Sequence, residues 1–123
     1  MKQLSLAGLI ALALLMPHAA SAHHGWAGYL EAEFEISGTV TMPVSLAGPH
    51  ATLVIKGADG HSWTLVLAPP PMMSAAGLKD GMIPIGARVV AHGHRHKDSD
   101  RFEVKTERLV WNGKTYNVYP GRA

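Results

Sequence analysis

Histidine is the residue this chain uses to excess, with eight in 123 residues. Two of them, His23 and His24, follow directly on the small-residue triplet Ala20-Ser21-Ala22. Neutral imidazole binds Zn²⁺ or Cu²⁺ through nitrogen at roughly 2 Å. A histidine at a free N-terminus does more: its α-amine, with a pKa of about 8, and its own Nδ1 close a chelate ring once the metal displaces the amine proton. Position 23 has that chemistry only if the chain is cut after Ala22.

The preceding residues predict that cut. Lys2 is followed by an apolar run from Leu4 to Met16, a helix breaker at Pro17, and Ala20-Ser21-Ala22. This is the pattern of a secretory signal peptide with a small-x-small cleavage site. The apolar run is short for a bilayer span and no later segment approaches the length a membrane helix needs. The reading predicts residues 1–22 as signal peptide, 23–32 as an N-terminal arm and 33–119 as a single barrel domain. The expected location is the periplasm, with no membrane insertion after cleavage.

An N-terminal histidine with a second imidazole in plane resembles the histidine brace of exported copper proteins. Copper(II) is the best match because it stands highest in the divalent affinity order and prefers tetragonal nitrogen donors; zinc ranks below it. A flexible His-His tail also binds copper weakly without any evolved site.

A second group lies in "AHGHRHKD", residues 91 to 98. On a strand, His92, His94 and His96 share a face with neighbours about 6 to 7 Å apart, a spacing from which imidazoles converge on one ion. An ordinary solvated strand face, with Arg88, Arg95 and Lys97 alongside, accounts for the same pattern. His61 beside a tight turn reads as a surface residue. Met42, Met72, Met73 and Met82 read mainly as gap-filling core, although thioethers also suit Cu(I).

The elements that must position these groups read as strands. From Glu31, Phe34, Ile36, Gly38, Val40, Met42 and Val44 alternate with Glu33, Glu35, Ser37, Thr39 and Thr41, the period-two pattern of a long half-buried strand. Ala47-Gly48-Pro49 ends it. A second strand over His50 to Lys56, the turn "GADG", and a third carrying Trp63, Leu65 and Leu67 make a hairpin. "APPPMMSAAGLKDG" places prolines before, and Gly77 after, one or two helical turns. A fourth strand spans Ala87 to about His96 and a fifth Phe102 to Trp111. The Asn-Gly of "WNGK" then turns into a last short strand through Tyr116 and Val118.

This order predicts an all-β fold: a small OB-like five-stranded barrel with one short helix between strands three and four and a C-terminal hairpin extension. In such a barrel the first-to-second and fourth-to-fifth strand loops form the usual ligand site. Here they carry His50 and the His94 to Asp98 turn. Residues 23 to 32, extended, reach about 33 Å, enough to fold back to that end. Trp26 and Tyr29 are suited to pinning this arm on the barrel.

Composition narrows the partners. The formal charge of +2 falls by one when Lys2 is removed, and Cys is absent. Nucleic acid is therefore not an expected ligand, since little counterion release is available. Neither a disulfide framework nor a thiolate site is possible.

"HHGWAGY", "ISGTV", "GPHATL", "LAPPPMM", "GLKDG", "HGHRHKD" and "ERLVWNGKTY" together resemble a family of small exported bacterial proteins of unknown function. The likeness runs along essentially the whole mature chain. The family's turn before the second strand reads Asn-Pro-His, and Gly48 here replaces the Asn. The resemblance places His23, His24, His50 and His94 at family positions, whereas His92 and His96 are particular to this chain. The expected function is thus an exported metal-binding protein, for copper buffering or delivery, with His23, His24, His50 and His94 as ligands. The alternative is a metal-free OB-like module that binds an oligosaccharide, a peptide or another envelope protein. No nucleophile motif or carboxylate pair marks an enzyme.

Overall fold

The computed structural model describes residues 25–122. The signal-peptide reading of residues 1–22, together with His23 and His24, lies outside the described residues.

Six strands form one sheet: β1 (Phe34–Ser45), β2 (Thr52–Gly57), β3 (Ser62–Val66), β4 (Arg88–Arg95), β5 (Glu103–Trp111) and β6 (Lys114–Asn117). A helix, α1 (Pro70–Ala76), joins β3 to β4, and a 3₁₀ turn, Pro120–Arg122, ends the described chain. Strand β1 pairs antiparallel with both β2 and β4; β2 with β3; and β4 with β5. A parallel pairing of β3 with β5 closes the ring. Strand β6 bonds only to β5, outside it. This is the five-stranded OB-like barrel with helix and hairpin extension that the sequence order predicts. Closure leaves the ring without open edges.

Local chemistry explains the joints. Asn112 and Gly113 adopt φ of 54° and 77°, as a two-residue hairpin turn between right-twisted strands requires. Pro70 and Pro71 occupy the first turn of α1, where a missing N–H costs nothing. At Gly93 a Cβ would run into the Lys105 backbone carbonyl, so only glycine lets β4 approach β5 this closely.

The core is aliphatic, with Leu53, Ile55, Leu65, Leu67, Met73, Leu78 and Leu109 fully buried. Val40 and Val44 point into it from β1, but Met42 does not and is 59% exposed. Register explains the departure from simple alternation. Val40 pairs with Ile55, Met42 with Val54 and Ser45 with Thr52, so β1 carries an extra residue in each interval. The first bulge turns Met42 outward and the second returns Val44 inward.

Strand β5 is unusual in being covered on both faces. Val104 and Leu109 point inward, yet Lys105 and Glu107 on the outer side are also buried. What covers them is the segment ahead of β1 together with the C-terminal 3₁₀ turn.

Candidate functional site

Residues Gly25 to Ala32 form an arm that docks against the ends of β4 and β5. It begins as a turn, with the Tyr29 N–H donating to the Trp26 carbonyl at 3.0 Å. It then runs beside β4 as an added piece of strand: the Leu30 N–H donates to Arg95 O and the Lys97 N–H to Gly28 O, each at 2.9 Å, with Tyr29 bridged to His96. The sequence expectation that Trp26 and Tyr29 pin the arm matches this packing.

Under the arm lie Glu103, Lys105 and Glu107, every second residue of β5 and therefore on one face. The Tyr29 hydroxyl donates to Glu103 Oε2, while Arg101 bonds the other oxygen at 2.9 Å. Burial, and then the bond to this carboxylate, push the Tyr29 phenol well above the usual tyrosine range. Lys105 is 5% exposed. Its ammonium lies 5.1, 6.0 and 5.8 Å from the ring centres of Trp26, Tyr29 and Tyr119, and among the described residues no carboxylate comes within ion-pair distance. Burial lowers its pKa, with Glu103 opposing and Arg122 adding to the shift. The rings compensate part of that cost, since a desolvated cation over an aromatic face gains about 2 kcal/mol.

Glu107 joins two further groups. His94 Nε2 meets its Oε2 at 3.0 Å, and the same oxygen accepts from Arg122 Nε at 3.2 Å. The other ring nitrogen of His94, Nδ1, faces the arm carbonyls of Leu30 and Ala32 at 2.9 and 3.2 Å. The Arg122 guanidinium stacks on the Trp26 ring, 3.9 Å from its centre, and the edges of His94 and Tyr119 complete the socket at 5.8 and 5.1 Å.

The remaining histidines sit in separate settings. His92 lies between Glu33 and Glu35, at 3.9 and 3.8 Å, and Glu33 also pairs with Arg108 at 3.4 Å. His96 accepts the Asp98 N–H at 3.0 Å and packs on Tyr29. His61 is exposed and stacks on Phe102 with ring centres 4.0 Å apart. His92, His94 and His96 thus leave the strand toward different partners. Among the described residues no three His, Asp or Glu side chains gather into a metal-binding group.

His50 is half-buried. Burial first, and the Lys105 charge second, hold its imidazole below the ordinary histidine pKa. Lys105 is the cross-strand partner of His94 on one side and of Val66 on the other. It also lies beneath Gly25, where a Cβ would stand 4.0 Å from its Nζ. The outer face around Lys105 therefore has His94 beside it and Gly25 over it. Of the expected ligands, His94 has both ring nitrogens engaged while the arm is docked.

The parts that sequence reasoning missed are Lys105, Glu107, Tyr119 and Arg122. The available signal was the alternation of Glu103, Lys105 and Glu107 between apolar residues, which by itself describes a solvated strand face.

These features define a small OB-like barrel whose outer face is covered by its own N-terminal arm. The sequence pattern of a family of unknown function, DUF6152, matches residues 11–105, and the chain belongs to that family. No curated protein matches the chain. Among solved structures it is similar to the ZRD-deleted mutant of TiaS in complex with agmatine, at 15% identity and a TM-score of 0.52. That match covers 70% of this chain and 26% of the other, so this chain spans about a quarter of that protein, and the likeness is one of fold.

Proposed function

We propose that this protein is exported to the periplasm, is cut after Ala22, and binds a metal ion, copper(II) above zinc, to buffer or deliver it. The N-terminal amine and Nδ1 of His23 would form the chelate, with His24 and His50 supplying further imidazole. His94 joins as a ligand only if the arm lifts; with the arm docked it acts as a holder. Copper(II) held there would supply a Lewis acid matched to imidazole and amine nitrogen.

The observation that carries this reading is the path of the arm. Gly25, where the described chain begins, lies against Lys105, and the charge of the same ammonium acts on the His50 imidazole. The proposed donor set fits the metal: imidazole and amine nitrogen without thiolate, cysteine being absent.

The test is titration of copper(II) into protein whose first residue is His23 and into a version with one residue added before it. The native terminus should show submicromolar or tighter affinity and the extended one should lose most of it. Equal weak binding in both ends the proposal.

A further inference from the structure

We infer that the free edge of β6 is a docking strip for an extended acidic segment of a protein partner, which adds to the sheet as a further strand and places an aliphatic side chain in the groove beside α1. The inference stands on different residues from the copper reading and holds with or without a bound metal.

The strip begins at a bulge. Across β4 and β5, His92 pairs with Arg108 and Gly93 with Thr106, leaving Glu107 as the extra residue. Ahead of it β5 pairs with β3, as far as Val66 with Lys105; beyond it the partner is β6, from Arg108 with Asn117 to Trp111 with Lys114. A bulge bends its strand, and this one marks where β5 leaves the closed ring and takes on a strand outside it. The Glu107 carbonyl accepts the N–H groups of Val118 and Tyr119 at 3.0 and 3.1 Å, which fixes the end of β6.

Among the described residues no strand lies on the other side of β6. Its two-residue turn makes Trp111 and Lys114 the pair that exchanges hydrogen bonds, so by alternation Thr115 and Asn117 turn their N–H and C=O groups away from β5. Both residues are exposed, and among the described residues no backbone hydrogen bond reaches them from outside the ladder. Unpaired backbone groups on a strand held in place are a template for another strand. At the end of this row a groove of about 160 Å³ opens between α1 and the chain leaving β6, lined by Met72, Ala75, Ala76, Asn117, Val118 and Pro120. Asn117 apart, its walls are apolar.

Charge selects the occupant. Lys114 is the charged residue of β6, and Arg108, which also pairs with Glu33, stands opposite Asn117. A second copy laid along this edge brings the same cations together, and a short, lysine-bearing edge is a device by which sheets avoid pairing with themselves. An acidic strand meets no such repulsion. With four residues in β6 the contact is small, as suits a partner that binds and leaves.

The experiment uses the purified protein and synthetic probes: a short peptide alternating valine with glutamate, and one alternating valine with lysine. Amide chemical shifts locate the binding and fluorescence anisotropy measures it. The glutamate peptide should move the amides of Thr115, Asn117, Met72 and Ala75, leave that of Leu53 in the barrel wall unmoved, and bind about tenfold more tightly than the lysine peptide. Thr115→Pro removes an outward donor and Ala75→Leu fills the groove, and each should weaken that binding about tenfold. Lys114→Glu leaves the ladder intact and should reverse the preference between the two peptides. Unmoved β6 amides at millimolar peptide, a preference that Lys114→Glu leaves unchanged, or a concentration-dependent dimer that Thr115→Pro abolishes overturns the inference.

Discussion

The Nε2 of His94 lies 3.0 Å from the Glu107 carboxylate, and the opposite ring nitrogen is turned to the carbonyls of Leu30 and Ala32. Every partner of this imidazole is an acceptor, unless Glu107 itself carries the proton. In either form no ring lone pair is left for another ligand. His94 therefore joins the arm to the barrel.

Removing that imidazole leaves a buried carboxylate with Arg122 as its one remaining side-chain partner among the described residues. His94→Ala should cost about 3 kcal/mol of folding free energy, the penalty of breaking a buried pair from one side. Urea unfolding followed by circular dichroism measures it, and a loss within experimental error would show that the pair bears no weight.

Trp26→Ala should act locally. The ring's stack on Arg122 and its edge contacts with His94 and Tyr119 hold the first turn of the arm, and contacts of this kind contribute about 1 to 2 kcal/mol. Amide exchange at Leu30 and Lys97, whose N–H groups bond across the arm and β4, should accelerate. Exchange at Val90 in the barrel wall should stay slow. Uniform acceleration at all three would mean that the arm and barrel open as one unit.

Lys105 and Tyr29 give opposite alkaline signatures. The Lys105 pKa is depressed in the fold, so between its folded and unfolded values the unfolded chain binds the extra proton and stability rises with pH. The Tyr29 pKa is raised, so above the ordinary tyrosine value the unfolded chain loses its proton first and stability falls. Lys105→Met should abolish the rise and Tyr29→Phe should soften the fall. Thermal unfolding from neutral pH to pH 10.5 separates them, and parallel curves for Lys105→Met and wild type would contradict the burial cost assigned to the ammonium.

Gly93→Ala tests the packing that makes the site possible. A methyl group there meets the Lys105 carbonyl of the neighbouring strand, so β4 and β5 must separate where Glu107 bulges. A loss of more than about 3 kcal/mol is expected. A near-neutral substitution would show that the strands have room to part.

Much of the barrel was legible because its signals are local. Asn112-Gly113 named its turn, the proline run and Gly77 bounded the helix, and alternation marked the core residues of β2 and β3. Met42 was misplaced because bulges break parity without leaving a mark in residue types. The site was legible only in its histidines. Alternation assigns Lys105 and Glu107 to an outer face, and nothing local says that this face is covered. Their burial follows from an arm and a C-terminal turn far away in sequence. For the same reason the even spacing of His92, His94 and His96 read as one cluster, whereas long-range partners draw the three side chains apart.

The most direct measurement is mass spectrometry of the protein recovered from its native compartment, under conditions that keep bound metal. The account predicts a chain beginning at His23 and carrying one copper ion, lost when a residue is added before His23. A chain that begins elsewhere, or one that begins at His23 and takes up copper no better than its extended form, would contradict it.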